Sequence, residues 1–314
     1  YDSLVYHLAL PEAYIRAGRL VAVDHLLFSH FPQNGEMLFT LALLLKSDLL
    51  AQMLVCSCSA LAVGGVFAAG RRQAPLPAVL LGCWLLATHT AVMLLSGTTY
   101  VEPIVMLWVT AAVFSFSRWH GMAEEQPGRR GWLLLSAVFC GLALGAKYYA
   151  GITAGLLGFF LLLRLAAADR SRRKARAVEL GLFCGATIAV FSPWLVKNII
   201  MVGNPVFPFL YRYFPNTGTG WQGTAARDYF NVLTEYGHGG RFLEALAKLP
   251  FLLLGNSQRF GGGMDVLGNF GWELSFWCLP LAVWAARGSR FLRGLLVFFF
   301  CYMAVWFSTG VVLR

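Results

Sequence analysis

The sequence predicts an all-α fold, a polytopic transmembrane helical bundle, and three observations carry that prediction. Hydrophobic residues make up 58% of the 314-residue chain and charged residues 13%, with a mean hydropathy of +0.63; a soluble domain carries roughly 25% charged residues. Several uninterrupted apolar runs approach the roughly 20 residues that cross a bilayer. The basic residues gather in short segments between those runs, the pattern that holds Lys and Arg on the cytoplasmic side. The formal charge of +10 is therefore an orientation signal and not a nucleic-acid footprint.

Taken in order, spans are expected at about 49–69, 77–96, 101–117, 132–146, 148–164, 178–195, 272–286 and 294–309. The segments 70–76, 118–131, 165–177 and 287–293 carry the Arg and Lys clusters and are read as cytoplasmic loops, whereas 97–100 holds neither Lys nor Arg. Residues 1–48, 97–100 and 196–271 then lie outside, within one transmembrane domain covering 1–314: 1–48 is a first outer loop and 196–271 a large one. The apolar stretch 132–164 is broken only by Gly145-Ala146-Lys147-Tyr148-Tyr149. One long helix there would put its two basic flanks on opposite sides, so two short spans with Lys147 at an outer turn are expected, accommodated by thinning or by packing against neighbours.

In the first outer loop, Pro11 suits the first turn of a short helix that Gly18 ends. A second, mostly apolar helix is expected over 35–45. Region 196–271 is rich in aromatics and Gly ("NPVFPFLYRYFPNTGTGWQGTAARDYF"), which suits a loop-built binding surface on a helical scaffold. All seven cysteines fall within apolar runs, where Cys packs as a small hydrophobe; neither a disulfide frame nor a zinc site is indicated.

Ionisable groups avoid the span centres. Glu102, Lys147, Lys197 and Glu273 fall at outer ends, and only His89 lies about two turns deeper. A proton-coupled carrier places ionisable residues along its path; here the polar chemistry collects at one surface, where a lipid head group sits. That is the pattern of an enzyme acting on a lipid-linked substrate. A flippase or transporter of a lipid-linked sugar, or a non-catalytic lipid-binding membrane protein, is the alternative.

The stretches "YDSLVYHLALPEAYIRAGRL", "HFPQNGEMLFTLALLL", "GTTYVEP", "GLALGAKYYAG" and "PWLVKNIIMVGNPVFPF" resemble, in that order, bacterial GT-C membrane glycosyltransferases, relatives of the protein O-mannosyltransferases and the lipid A aminoarabinose transferases. The resemblance covers most of the chain. It implies a GT-C-like fold in the bacterial inner membrane, with an active site facing away from the cytoplasm. It also implies inverting transfer of a hexosyl or pentosyl group from a polyprenyl-phosphate donor to a hydroxyl of a glycan, lipid or protein acceptor. In that family a first transmembrane helix precedes an acidic motif in the first outer loop, which Asp2 matches. The sequence given is therefore expected to be a fragment that lacks this helix and further ones after "STGVVLR". Where the family carries a second acid, this chain has Ser3, so a paired-acid metal site is not expected.

Such transfer needs a base on the acceptor hydroxyl and a cation or donor at the departing phosphate. Asp2 is the expected base. Glu102 is the second catalytic acid, steering the acceptor or sharing the base role. Lys147, with Lys197 or Arg212, is expected to meet the phosphate, and Tyr6, His7, His30 and Gln33 to contact sugar or phosphate. Plainer roles stand beside these: Asp2 or Glu102 as a helix cap, Lys147 as a snorkelling lysine, Lys197 and Arg212 as interfacial anchors, His89 as a packing residue. No cofactor is expected; His7, His25 and His30 share a loop, but their spacing fits no tight metal motif.

Overall fold

The computed structural model describes residues 2–23, 26–214, 223–236, 244 and 277–309, and among these the chain is helical, without strands. The chain divides into two compact units, Tyr1–Ala69 with Leu95–Gln222, and Gly70–Leu94 with Gly223–Arg314.

The first unit opens on a π-helical turn, Ser3–His7, that runs into α1, Ala9–Ala17. Gly18 ends α1 in the left-handed region (φ 64°), its N–H closing on Ile15 O, as a glycine C-cap does. Tyr6, Leu10 and Tyr14 form a small core with Val5, Val21, Val23, Leu26, Phe28 and Met37 around it. The Glu12–Arg16 ion pair stays exposed on the far face of α1. The polar start of the chain is thus an amphipathic cover, not a solvated tail. After a 3-10 turn, Leu27–His30, comes α2, Asn34–Leu44. Its Phe39 and Ala42 pack with Ala51, Val55, Val101 and Ile104, while Leu41 and Leu44 are exposed. Gly35 is required here: a Cβ would lie 2.4 Å from Val101 Cγ1.

The body of this unit is α3 (Asp48–Gly70), α6 (Glu102–Gly121), α7 (Arg129–Leu144), α8 (Gly151–Ala166) and α9 (Arg170–Val202). The two-helix reading of 132–164 holds: α7 stops at Leu144 and the chain restarts through the 3-10 turn Tyr148–Ala150. Contacts fix the sense of α6–α9. Trp119 near the end of α6 lies beside Arg129 at the start of α7 and Arg164 at the end of α8, and Arg129 pairs with Glu179 early in α9. At the other extreme, Glu102 at the start of α6 meets Lys147 just after α7. The four helices therefore run alternately up and down, and segments 118–131 and 165–177 meet at one end.

Two expectations are corrected here. Residues 170–177 are not a loop but the first two turns of α9, which has 33 residues and so extends roughly 50 Å, well beyond the roughly 30 Å hydrocarbon core. Arg, Lys and Ala are good helix formers, and nothing in "RSRRKARAVELG" breaks the helix. The 77–96 span is not continuous either, as the second unit shows.

That second unit contains α4 (Leu76–Thr88), most of α5 (Thr90–Ser96), α10 (Gly223–Tyr236), α11 (Leu279–Ala285) and α12 (Arg290–Thr309). Helices α4 and α5 bend by 61° at His89, whose backbone is extended (φ −60°, ψ 129°). His89 therefore occupies a break and not a helix interior. Most of the expected large outer loop, and the first part of the 272–286 span, lie outside the described residues.

Among the described residues, four helices are long and apolar enough to cross a membrane: Asp48–Gly70, Tyr148–Ala166, Arg170–Val202 and Arg290–Ser308. The bent α4–α5 pair makes a fifth if counted as one span. Helices α6 and α7, expected as spans, fall short of that standard; α7 has 16 residues. Both bury many side chains in the bundle, including the polar Ser115 and Ser136, and a helix covered by protein need not match the apolarity of one facing lipid.

Candidate active site

The site forms where the first outer loop closes over one end of α6–α9. Asn34 at the start of α2 is its main stitch. Its backbone N–H donates to Gly145 O (2.7 Å), its Nδ2 donates to Leu142 O (2.9 Å), and its Oδ1 accepts from Trp194 Nε1 (2.9 Å). The approach is so close that a Cβ on Gly145 would lie 2.2 Å from Asn34 Nδ2. From α9, Lys197 Nζ donates to Ser29 O (2.8 Å) and Phe31 O (3.0 Å). Tyr148 Oη donates to Phe207 O (2.8 Å), and the His30 ring meets the Phe207 ring edge-on.

Under this roof, Glu102 and Lys147 form an ion pair, Nζ to Oε1 2.7 Å, with side chains 5% and 21% exposed. Glu102 begins α6, where the helix dipole favours an anion and Pro103 suits the first turn. Lys147 sits in extended conformation between α7 and the next turn, which aims it across the gap. Burial alone would lower the Lys147 pKa, but the adjoining Glu102 carboxylate outweighs it and holds the ammonium protonated well above its usual range.

Tyr6 is buried and stacks on Phe28, and its hydroxyl donates a long hydrogen bond to Asp2 Oδ2 (3.4 Å). Burial raises the Tyr6 pKa, and the charges of Lys147, Asp2, Glu102 and Glu36 all act on it. The phenol therefore stays a hydroxyl at the meeting point of four charged groups. Asp2 precedes the first helical turn, yet its backbone is itself helical (φ −57°, ψ −34°) and its side chain makes no capping bond. The capping role the sequence allowed is not played.

A family model described as dolichyl-phosphate-mannose-protein mannosyltransferase matches residues 31–219, three-fifths of the chain. The chain belongs to that mannosyltransferase family. No curated protein and no solved structure matches it. As a member of this family it is a membrane glycosyltransferase that draws on polyprenyl-phosphate-linked sugar. The matched stretch takes in Gln33, Glu102, Lys147, Lys197 and Arg212; Asp2, Tyr6, His7 and His30 precede it.

Placed in a mannosyltransferase of this family, the residues expected at the site divide by what already holds them. Asp2, Tyr6, Glu102 and Lys147 come together. Gln33 is engaged within the loop at both ends of its amide: Oε1 accepts from Tyr14 Oη, and Nε2 donates to Phe28 O and Ser29 O. Lys197 is neither an exposed anchor nor an open phosphate ligand in this conformation, since it is buried on two loop carbonyls. His7 is fully buried, its Nδ1 2.7 Å from Glu36 Oε1. Arg212 is exposed with its guanidinium over the ring of Tyr211. His25 lies outside the described residues, and no cluster of three potential metal ligands occurs among those described.

Glu36, Asn34 and Trp194 escaped sequence reasoning. Glu36 left a usable signal, being the one ionisable residue in "NGEMLFTLALLL", where a carboxylate among apolar residues needs a partner. Asn34 and Trp194 left none, because their partners are remote in sequence.

Proposed function

We propose that the protein transfers a sugar, with inversion, from a polyprenyl-phosphate donor to an acceptor hydroxyl at the extracytoplasmic face of a bacterial plasma membrane. The observation that carries the reading is the convergence of Asp2, Tyr6, Glu102 and Lys147 at the end of the bundle opposite the basic segments. In this reading Asp2 takes the proton of the acceptor hydroxyl as its oxygen attacks the anomeric carbon and the polyprenyl phosphate departs. Lys147 meets the growing phosphate charge, and Glu102 orients it. Tyr6 donates to Asp2 and fixes its direction. The donor sugar named by the family, mannose, is the first candidate, and glycan, lipid and protein hydroxyls are the acceptor classes. An apolar groove along Leu4, Leu8, Ile15 and Leu43, rimmed by Glu12 and Arg16, has the character an isoprenoid chain requires.

The test uses the full-length protein in proteoliposomes with a labelled polyprenyl-phosphate sugar. Acceptor-dependent release of polyprenyl phosphate is expected, and Lys147→Ala should abolish it with a larger fall in rate than in donor binding. Movement of intact donor between leaflets without cleavage would establish the transporter alternative instead.

A further inference from the structure

The opposite end of α6–α9 holds a second cluster that the transfer chemistry leaves unused. Arg129 and Arg176, each 6% exposed, share the buried Glu179 carboxylate: Arg129 Nη1 to Oε1 2.5 Å, Arg176 Nη1 to Oε2 2.9 Å. Arg176 also pairs with Glu124, and Arg172 Nη1 lies 3.9 Å from the same carboxylate. The Trp119 ring has the Arg129 guanidinium at 4.7 Å and that of Arg164 at 4.8 Å from its centroid. Arg118 lies over Trp132. Three guanidinium groups thus share two carboxylates, and Arg164 joins them through the Trp119 ring.

This cluster is short of acceptors. Trp119 Nε1, Arg129 Nε and Arg118 Nε are buried and have no hydrogen-bond partner. A buried donor without an acceptor costs about 1–3 kcal/mol, and two such donors in contact, Trp119 and Arg129, with Arg118 next to Trp119 in sequence, suit an anionic acceptor. Helix polarity adds to the deficit. α7 and α9 both begin at this end; α7 starts on Arg129 after Gly128 with no acid in its first turn, whereas α9 starts on Arg170 with Asp169 before it. The positive end of the α7 dipole thus meets a cation where an anion is favoured.

We propose that this end of the bundle binds the phosphate of an anionic membrane lipid, seated among Arg118, Trp119, Arg129 and Arg164. A phosphodiester supplies acceptors for the orphaned N–H groups and a negative charge for the excess of guanidinium. The stretch lies beside segments rich in Arg at a membrane end, where anionic head groups concentrate.

Removing Arg129 would take from the buried Glu179 one of its two guanidinium partners, so the informative substitutions are Arg118→Gln and Arg164→Gln, whose guanidinium groups make no ion pair among the described residues, and Trp119→Phe, which removes the indole N–H together with its five-membered ring. The full chain is placed in phosphatidylcholine nanodiscs, and its thermal midpoint and native mass spectrum are followed as phosphatidylglycerol is raised, with inorganic phosphate as a second arm. Phosphatidylglycerol is expected to bind and raise the midpoint, and affinity should fall about fivefold for each guanidinium removed and about tenfold for Trp119→Phe. Circular dichroism checks that each variant is folded. Equal phosphatidylglycerol affinity in wild type and the Arg118→Gln/Arg164→Gln pair overturns the site. Full stabilisation by inorganic phosphate at matched concentration overturns the lipid assignment and makes it a site for the free anion.

Discussion

The two ends of the α6–α9 bundle solve the problem of buried charge in different ways. At the Asp2 end, charge closes one against one in Glu102 with Lys147, and His7 Nδ1 meets Glu36 Oε1. At the other, two carboxylates serve three guanidinium groups, and two more, Arg118 and Arg164, lie over Trp rings. Desolvation makes each arrangement costly unless its charges are compensated. The matched end therefore carries its own counter-charge, while the mismatched end, in our proposal, is completed from outside. The contrast also separates local from distant restraint. Asp2 and Tyr6 are four residues apart, whereas Glu102–Lys147, Asn34–Trp194 and Lys197–Ser29 join elements far apart in sequence.

Breaking the matched pair gives the largest expected effect. Lys147→Ala leaves Glu102 buried and uncompensated, a loss of about 3–5 kcal/mol, read as a lowered thermal midpoint alongside lost turnover. The double variant Lys147→Met/Glu102→Gln sharpens the point: it should regain much of the stability and none of the activity. Midpoints that fall equally in single and double variants would remove the pair's special standing. Because the Lys147 pKa is raised on folding, its contribution is fully present below the ordinary lysine value of 10.5 and fades only above it. An activity loss at milder alkaline pH must then come from another group, and a pH–rate profile of Lys147→Arg with an unmoved alkaline limb would show this.

The next effect concerns the stitches of the roof. Gly145→Ala drives a methyl into Asn34 and should cost about 1–3 kcal/mol, with hydrogen exchange rising across residues 26–45. Lys197→Met forfeits two hydrogen bonds to loop carbonyls, about 0.5–1.5 kcal/mol each. If Lys197 positions the loop, the rate falls while donor affinity holds; a selective rise in donor KM would return it to phosphate binding. The smallest effect is Arg212→Ala, whose exposed side chain should leave the thermal midpoint at the wild-type value.

How far the sequence carried the reading follows from where its signals were local. The apolar runs, the break at Gly145–Tyr149, the Gly18 stop and the short helices at 9–17 and 34–44 could be read because each is written in consecutive residues. The α9 start was misread because a run of Arg was equated with a loop, although Arg is a good helix former. The His89 break had no Pro or Gly to announce it. Glu102 and Lys147 were each named, yet nothing in the sequence showed that they pair. Lys197 looked like a phosphate ligand or an anchor because its partners, the Ser29 and Phe31 carbonyls, are more than 160 residues away.

The central claim is that Asp2 is the base, and Asp2→Asn tests it most directly. Asn caps helices about as well as Asp, and Asp2 makes no capping bond here, so folding and membrane insertion should be unchanged. Loss of the proton acceptor should lower transfer from the polyprenyl-phosphate donor by about 10²–10⁴-fold in the full-length enzyme, with donor binding retained. Transfer by Asp2→Asn at close to the native rate would contradict the account and move the base to Glu102.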